Sequence, residues 1–125
     1  GEDLSGRLIP AVEVRLRGFY RLLPPDYYEA ADNLADFCDR IEKQYGVRPV
    51  IYCTERTYKN IVASDSRFNK DKIWYESLFS KPDEDMNWTF WTYTNRVKFS
   101  FYESGEYLHM TVFNGSEDDF KKLIL

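Results

Sequence analysis

The sequence predicts an α/β fold with two or three helices and a sheet of five or six mostly parallel strands. In the first half of the chain, apolar residues at helical spacing alternate with short runs rich in β-branched and aromatic residues. A strand followed by a helix and a second strand is a crossover connection, which parallel strands require. With 125 residues there is room for one domain, and we expect residues 1–125 to form it.

The first half gives the clearest elements. Residues 8–15 are typical of a strand, and the apolar spacing over 26–45 predicts the longest helix. Pro25 is well placed just before a helix, Gly46 suits a left-handed C-cap, and Pro49 prevents the helix from continuing. This helix is the element that the sequence defines best.

Further elements follow along the rest of the chain. A strand is predicted over 48–53, and Thr54 is expected to cap a short helix from Glu55 to Ala63. Four more strands are predicted, at 72–76, 88–93, 97–101 and 107–113. Ser116 and Asp119 approximate a capping box for a closing helix that runs through Ile124.

Charge and composition exclude several functions. Seventeen basic against 21 acidic residues give a net charge of −4, which argues against nucleic-acid binding. The sequence contains no apolar run of the roughly 20 residues that a membrane-spanning helix needs. Because His109 is the single histidine and no Cys/His spacing suggests zinc, we expect no metal site. No organic cofactor is implied either.

The two cysteines leave two alternatives open. Cys38 falls on the apolar side of the predicted helix, and Cys53 ends an apolar strand. Free cysteine is among the most buried residue types, so two buried thiols are the expected state. A disulfide between them is geometrically possible, since a helix and the next strand pack together.

Six segments in order give the chain a resemblance to a known family. They are LIPAVEVR at 8–15, the helix at 26–45, RPVIYCT at 48–54, KIWYES at 72–77, FWTYT at 90–94 and LHMTVFNG at 108–115. Their order and spacing resemble the second half of the family 25 glycoside hydrolases, the Chalaropsis-type lysozymes or N-acetylmuramidases. The resemblance implies that the chain is the C-terminal part of an irregular, TIM-like β/α barrel.

The resemblance also implies where catalytic groups would lie. Glycoside cleavage needs a carboxylic acid and a second carboxylate, and the family supplies them from a strand Asp-x-Glu and a last-strand Asp. Glu13, Arg15 and His109 occupy those positions here. A guanidinium cannot donate a proton near neutral pH, so the usual mechanism is expected to be impaired or altered. Thr92 and Thr111 stand where the family has Gln and Asn.

Simpler interpretations of these residues remain open. Glu13 and Arg15 can form a structural ion pair, and His109 can be a hydrogen-bonded residue of the barrel interior. Aromatic residues make up 18% of the chain, and such rings either stack on sugars or fill a core. The resemblance and the strand-end positions suggest a glycan platform that consists of Tyr52, Trp74, Trp91 and Tyr93.

Three functions are therefore open at this point. In the first, the chain is part of a working lysozyme that hydrolyses peptidoglycan. In the second, it is a degenerate family member that binds or cuts a related glycan, and in the third it is an interaction module on the same scaffold. The third alternative draws on an expected open sheet edge, which a missing N-terminal segment or a second copy would complete. The resemblance alone implies an extracellular or cell-envelope location.

Overall fold

The computed structural model describes residues 6–14, 26–78, 80–95 and 108–125, and for 94, 95, 108 and 109 it describes the backbone. The elements, in chain order, are β1 (Ala11–Glu13), α1 (Tyr27–Tyr45), β2 (Val50–Thr54), α2 (Glu55–Thr57) with a π-helical continuation (Tyr58–Val62), a 3-10 turn (Ser66–Phe68), β3 (Ile73–Glu76), β4 (Trp88–Asn95), β5 (Leu108–Phe113) and α3 (Glu117–Lys121). The predicted strand at 97–101 and residue Arg15 lie outside the described residues.

Five strands form one sheet in the order β1-β2-β3-β4-β5. The first four strands run parallel, and β5 pairs antiparallel with β4. Consecutive strands are thus neighbours, with α1 in the crossover between β1 and β2. The predicted α/β class with a mostly parallel sheet is confirmed.

Helix α1 is built as its sequence predicts. The Asp26 side chain accepts a hydrogen bond from the backbone N–H of Glu29, which satisfies one of the free donors at the helix start. Gly46 takes the left-handed conformation at φ 78°, and its N–H donates to the carbonyl of Glu42. The buried residues of α1 lie on one side of the helix: Ala31, Leu34, Ala35 and Cys38.

The apolar core lies between that side of α1 and one face of the sheet. We call this the helix face; its strand residues are Val12, Ile51, Cys53, Ile73, Tyr75 and Trp91. Ile61, Val62 and Phe68 from the connection between β2 and β3 complete the same cluster. Because side chains alternate along a strand, the residues between these belong to the opposite face.

The two ends of the chain differ from the predicted boundaries. Strand β1 is three residues long, and Leu8 instead forms an isolated antiparallel bridge with Ile124. The predicted capping box of Ser116 and Asp119 is present, but α3 ends at Lys121. The last residues leave the helix because their backbone pairs with the segment before β1: the N–H of Ile9 donates to the carbonyl of Leu123 at 2.9 Å.

Both cysteines are free thiols, and both are fully buried in the core. The alternative of a disulfide between Cys38 and Cys53 is therefore not what the structure shows. Burial raises the pKa of Cys38 to about 11 and that of Cys53 to about 12. At neutral pH these thiols act as small apolar core groups.

Candidate functional site

The face of the sheet opposite α1 carries a mixed aromatic and polar surface, which we call the open face. Its residues follow from strand register and are Glu13, Tyr52, Trp74, Glu76, Phe90, Thr92, Thr111 and Phe113. Glu13 is the register partner of Tyr52, which in turn pairs with Trp74. Neighbours in register share a face, so the sheet brings these residues together from five strands.

A row of aromatic rings crosses the open face. Tyr52 and Trp74 pack edge to face at a centroid distance of 5.2 Å, and Trp74 lies 4.9 Å from Phe90. The row continues to Phe113 at 5.5 Å from Phe90 and then to Phe120 of α3 at 5.3 Å. These spacings are typical of favourable aromatic pairs, so the row is a fixed surface. The strand rings of this row are half-buried.

A short hydrogen-bonded chain orients the centre of this row. The indole N–H of Trp74 donates to Thr92 Oγ1 at 2.9 Å. The same hydroxyl oxygen lies 2.7 Å from Thr111 Oγ1 on the next strand. Thr92 is buried, so both contacts satisfy a hydroxyl group that water cannot easily reach.

Glu76 is a residue of the open face that the sequence interpretation did not single out. The hydroxyl of Tyr52 donates to Glu76 Oε2 at 2.8 Å. Glu76 ends β3 two residues after Trp74, and this spacing alone places both on one face at the carboxyl end of a parallel strand. A carboxylate at that edge of a β/α sheet is the signal that could have identified it.

The three positions that the resemblance links to catalysis are described to different extents. Glu13 ends β1 and is exposed beside Tyr52 on the open face. The backbone of His109 pairs with Thr94, two positions along β5 from Thr111, and its side chain lies outside the described residues. Arg15 also lies outside them. The structure therefore places Glu13 beside the aromatic row.

The four aromatic residues of the expected platform divide between the two faces. Tyr52 and Trp74 lie in the row on the open face, whereas Trp91 pairs in register with Tyr75 on the helix face. Trp91 packs against the core, and its indole N–H donates to the carbonyl of Ser77 at 3.0 Å. Tyr93 stacks on Trp91 at 4.8 Å. A single platform of all four rings is excluded by strand alternation.

A groove of about 690 Å³ lies at the carboxyl ends of β2 and β3. Glu76 and Thr54 line its sheet side, and Arg56 and Lys59 line it from the helical segment after β2. This volume falls in the range of small-molecule sites, and Glu76 belongs both to the groove and to the open face.

Within the described residues, the chain has no cluster of metal-ligating side chains and no helix long and apolar enough to span a membrane.

Comparison with known proteins gives one family and two similar structures. The family model "Glycosyl hydrolases family 25" matches residues 22–100. A family 25 glycosyl hydrolase from Bacillus anthracis has 27% sequence identity and a TM-score of 0.72, over 95% of this chain and 55% of that chain. A muramidase from Acremonium alcalophilum has 22% identity and a TM-score of 0.61, over 94% of this chain and 56% of that chain, and shows the fold alone.

The chain thus spans little more than half the length of either structure. No curated protein sequence matches it. The family match covers well over half of the chain, and the structural match to the Bacillus anthracis enzyme covers 95% of it. This chain belongs to the family 25 glycosyl hydrolases.

Proposed function

We propose that this chain is the C-terminal part of a family 25 barrel and that its open face binds the glycan strands of peptidoglycan. The observation that carries the proposal is the aromatic row of Tyr52, Trp74, Phe90 and Phe113, whose Tyr52 end lies beside the carboxylates of Glu13 and Glu76. Aromatic faces offer an apolar surface on which sugar rings stack, and carboxylates accept hydrogen bonds from sugar hydroxyls.

Catalysis in this chain is proposed to be altered rather than of the usual family type. The resemblance assigns the proton donor to position 15, where the chain has Arg, and the last-strand carboxylate to position 109, where it has His. Glu13 is the one carboxylate that remains at the three positions. A site with one of these acids left is expected to bind glycan better than it cleaves it.

Binding to purified peptidoglycan sacculi and calorimetric titration with oligomers of N-acetylglucosamine would test the proposal. We expect Trp74→Ala to weaken binding about tenfold or more, since stacking on one ring contributes on the order of 1.4 kcal/mol. Tyr93→Ala is the matched control because it removes an aromatic ring from the opposite face. Equal binding by both variants would argue against an aromatic glycan surface on the open face.

A second candidate is a working lysozyme of unusual mechanism, which the groove beside Glu76 favours. Clearing of a cell-wall suspension by the wild-type protein between pH 4 and 8 would support it. Binding without clearing would support the non-catalytic alternative. The proposed cell-envelope location follows from the peptidoglycan substrate in either case.

A further inference from the structure

We infer that Glu76 is a glycan-contacting residue: its Oε1 accepts hydrogen bonds from a hydroxyl or amide N–H of the sugar ring that stacks on Trp74, and Tyr52 positions it. This inference rests on the proposed function and adds a specificity-determining residue to it. The resemblance gives no role to this position, and it is Glu13, not Glu76, that occupies a family catalytic position.

The first argument is the spacing of the two side chains. Trp74 and Glu76 are alternate residues of β3 and so project from the same face, roughly 7 Å apart along the strand. A ring stacked on an indole directs its hydroxyl groups outward around its edge. A carboxylate beside the indole is therefore placed to accept from that edge, while stacking alone would leave the orientation of the ring open.

The second argument is that Glu76 is held in position. The hydroxyl of Tyr52 donates to Oε2 at 2.8 Å, and the Tyr52 ring packs edge to face on Trp74 at 5.2 Å. Trp74 is in turn fixed by its bond to Thr92 at 2.9 Å. A half-buried carboxylate that is held in this way loses little conformational entropy on binding.

The third argument is the acceptor capacity that remains. An ionised carboxylate has about four lone-pair sites, and Tyr52 occupies one of them at Oε2. In the described part of the chain no donor contacts Oε1, and Glu76 lines the groove at the ends of β2 and β3. Hydrogen bonds to a charged acceptor are the strong ones, so Oε1 can discriminate between sugars by their donors.

Calorimetric titration of N-acetylglucosamine oligomers into the wild type and four variants would test this role. Glu76→Gln keeps the size of the side chain and an acceptor for Tyr52 but removes the charge, and we expect about tenfold weaker binding. Glu76→Ala should weaken it further. Tyr52→Phe should weaken it about threefold, and Tyr52→Phe combined with Glu76→Ala should bind like Glu76→Ala alone, because Tyr52 acts through Glu76.

Controls separate this role from a structural one. Glu117→Gln removes one negative charge on α3 and should leave binding unchanged. The free energy of unfolding is measured for each variant. If the hydrogen bond between Tyr52 and Glu76 is purely structural, its removal lowers stability and leaves binding intact. That result would overturn the inference and leave the proposed function standing. Failure of the wild-type protein to bind any oligomer or sacculus would instead overturn the proposed function and the inference together.

Discussion

The hydroxyl oxygens of Thr92 and Thr111 lie 2.7 Å apart across β4 and β5. These are two positions where the resemblance leads one to expect Gln and Asn. In this chain the two short hydroxyls contact each other, and Thr92 also accepts a hydrogen bond from the indole N–H of Trp74. Thr92 thus links Trp74 of the aromatic row to Thr111 on the next strand.

We predict that Thr92→Val lowers the free energy of unfolding by about 1–2 kcal/mol, because it leaves the Trp74 N–H without its acceptor and the Thr111 hydroxyl without its hydrogen-bond partner. Thr111→Val should cost about 0.5 kcal/mol, since this residue is exposed. The double variant should be more stable than the sum of the single effects implies. Urea unfolding of all four proteins measures this coupling, and strictly additive effects would contradict it.

Much of the fold could be predicted because it depends on local patterns. The helical spacing, the Gly46 cap and the β-branched runs each specify their own element, and each is present in the structure. The π-helical continuation after Thr57 and the early end of α3 could not be predicted. The latter depends on contacts between the two ends of the chain, which no local pattern reveals.

The candidate site was predicted less completely because it depends on which face each strand residue occupies. Tyr52 and Trp74 belong to separate strands, and the register between β2 and β3 makes them neighbours on one face. Side-chain alternation removes Trp91 from their face, although its strand, β4, lies directly beside β3. The hydrogen bond from the Tyr52 hydroxyl to Glu76 likewise joins two strands and depends on their register.

A buried ion pair outside the site gives a second prediction. Arg48 donates to both carboxylate oxygens of Asp71, at 2.6 Å from Nε and 3.1 Å from Nη2, and Asp71 is buried. Hydrogen bonding to Asp71 raises the pKa of Arg48 above its usual range. We expect Asp71→Asn to cost about 2–3 kcal/mol, because it leaves the partly buried cation with one exposed partner, Asp39.

The matched control for that variant is Asp36→Asn. Asp36 pairs with Arg40 at 3.0 Å, and both side chains are exposed. An exposed pair one helical turn apart contributes about 0.5 kcal/mol or less. Chemical denaturation of both variants compares the two pairs, and equal losses of stability would show that burial of Asp71 does not matter.

The two buried thiols give a prediction about pH and reactivity. In the native protein at pH 8, we expect neither cysteine to react with a disulfide reagent. In the unfolded protein, both thiols should react. Because burial raises the pKa of Cys38 to about 11 and of Cys53 to about 12, the folded state holds protons that the unfolded state loses near pH 9. The stability that the two protonated thiols give to the folded state is complete below about pH 9 and is lost as the pH rises toward 12.

Unfolding midpoints measured between pH 8 and 11 test this fall in stability with rising pH. The midpoint should fall less steeply with pH in Cys53→Ala than in the wild type, even though the variant is less stable at pH 8 because it leaves a cavity. Two thiols that react at once in the native protein, or a pH slope that is unchanged in the variant, would contradict burial of these groups.

The last prediction concerns position 15, where the resemblance implies the proton-donating Glu of the family and this chain has Arg. Arg15→Glu restores a carboxylic acid two residues after Glu13, and a positioned general acid contributes about 10²–10⁴ in rate. If loss of this acid is what alters catalysis, Arg15→Glu should clear a cell-wall suspension at least about 100-fold faster than the wild type. Arg17→Glu makes the same change of charge two residues further on and is the matched control. Clearing rates that rise equally in both variants would trace the effect to net charge, and no rise in either would show that replacement of the acid at position 15 is not what limits cleavage.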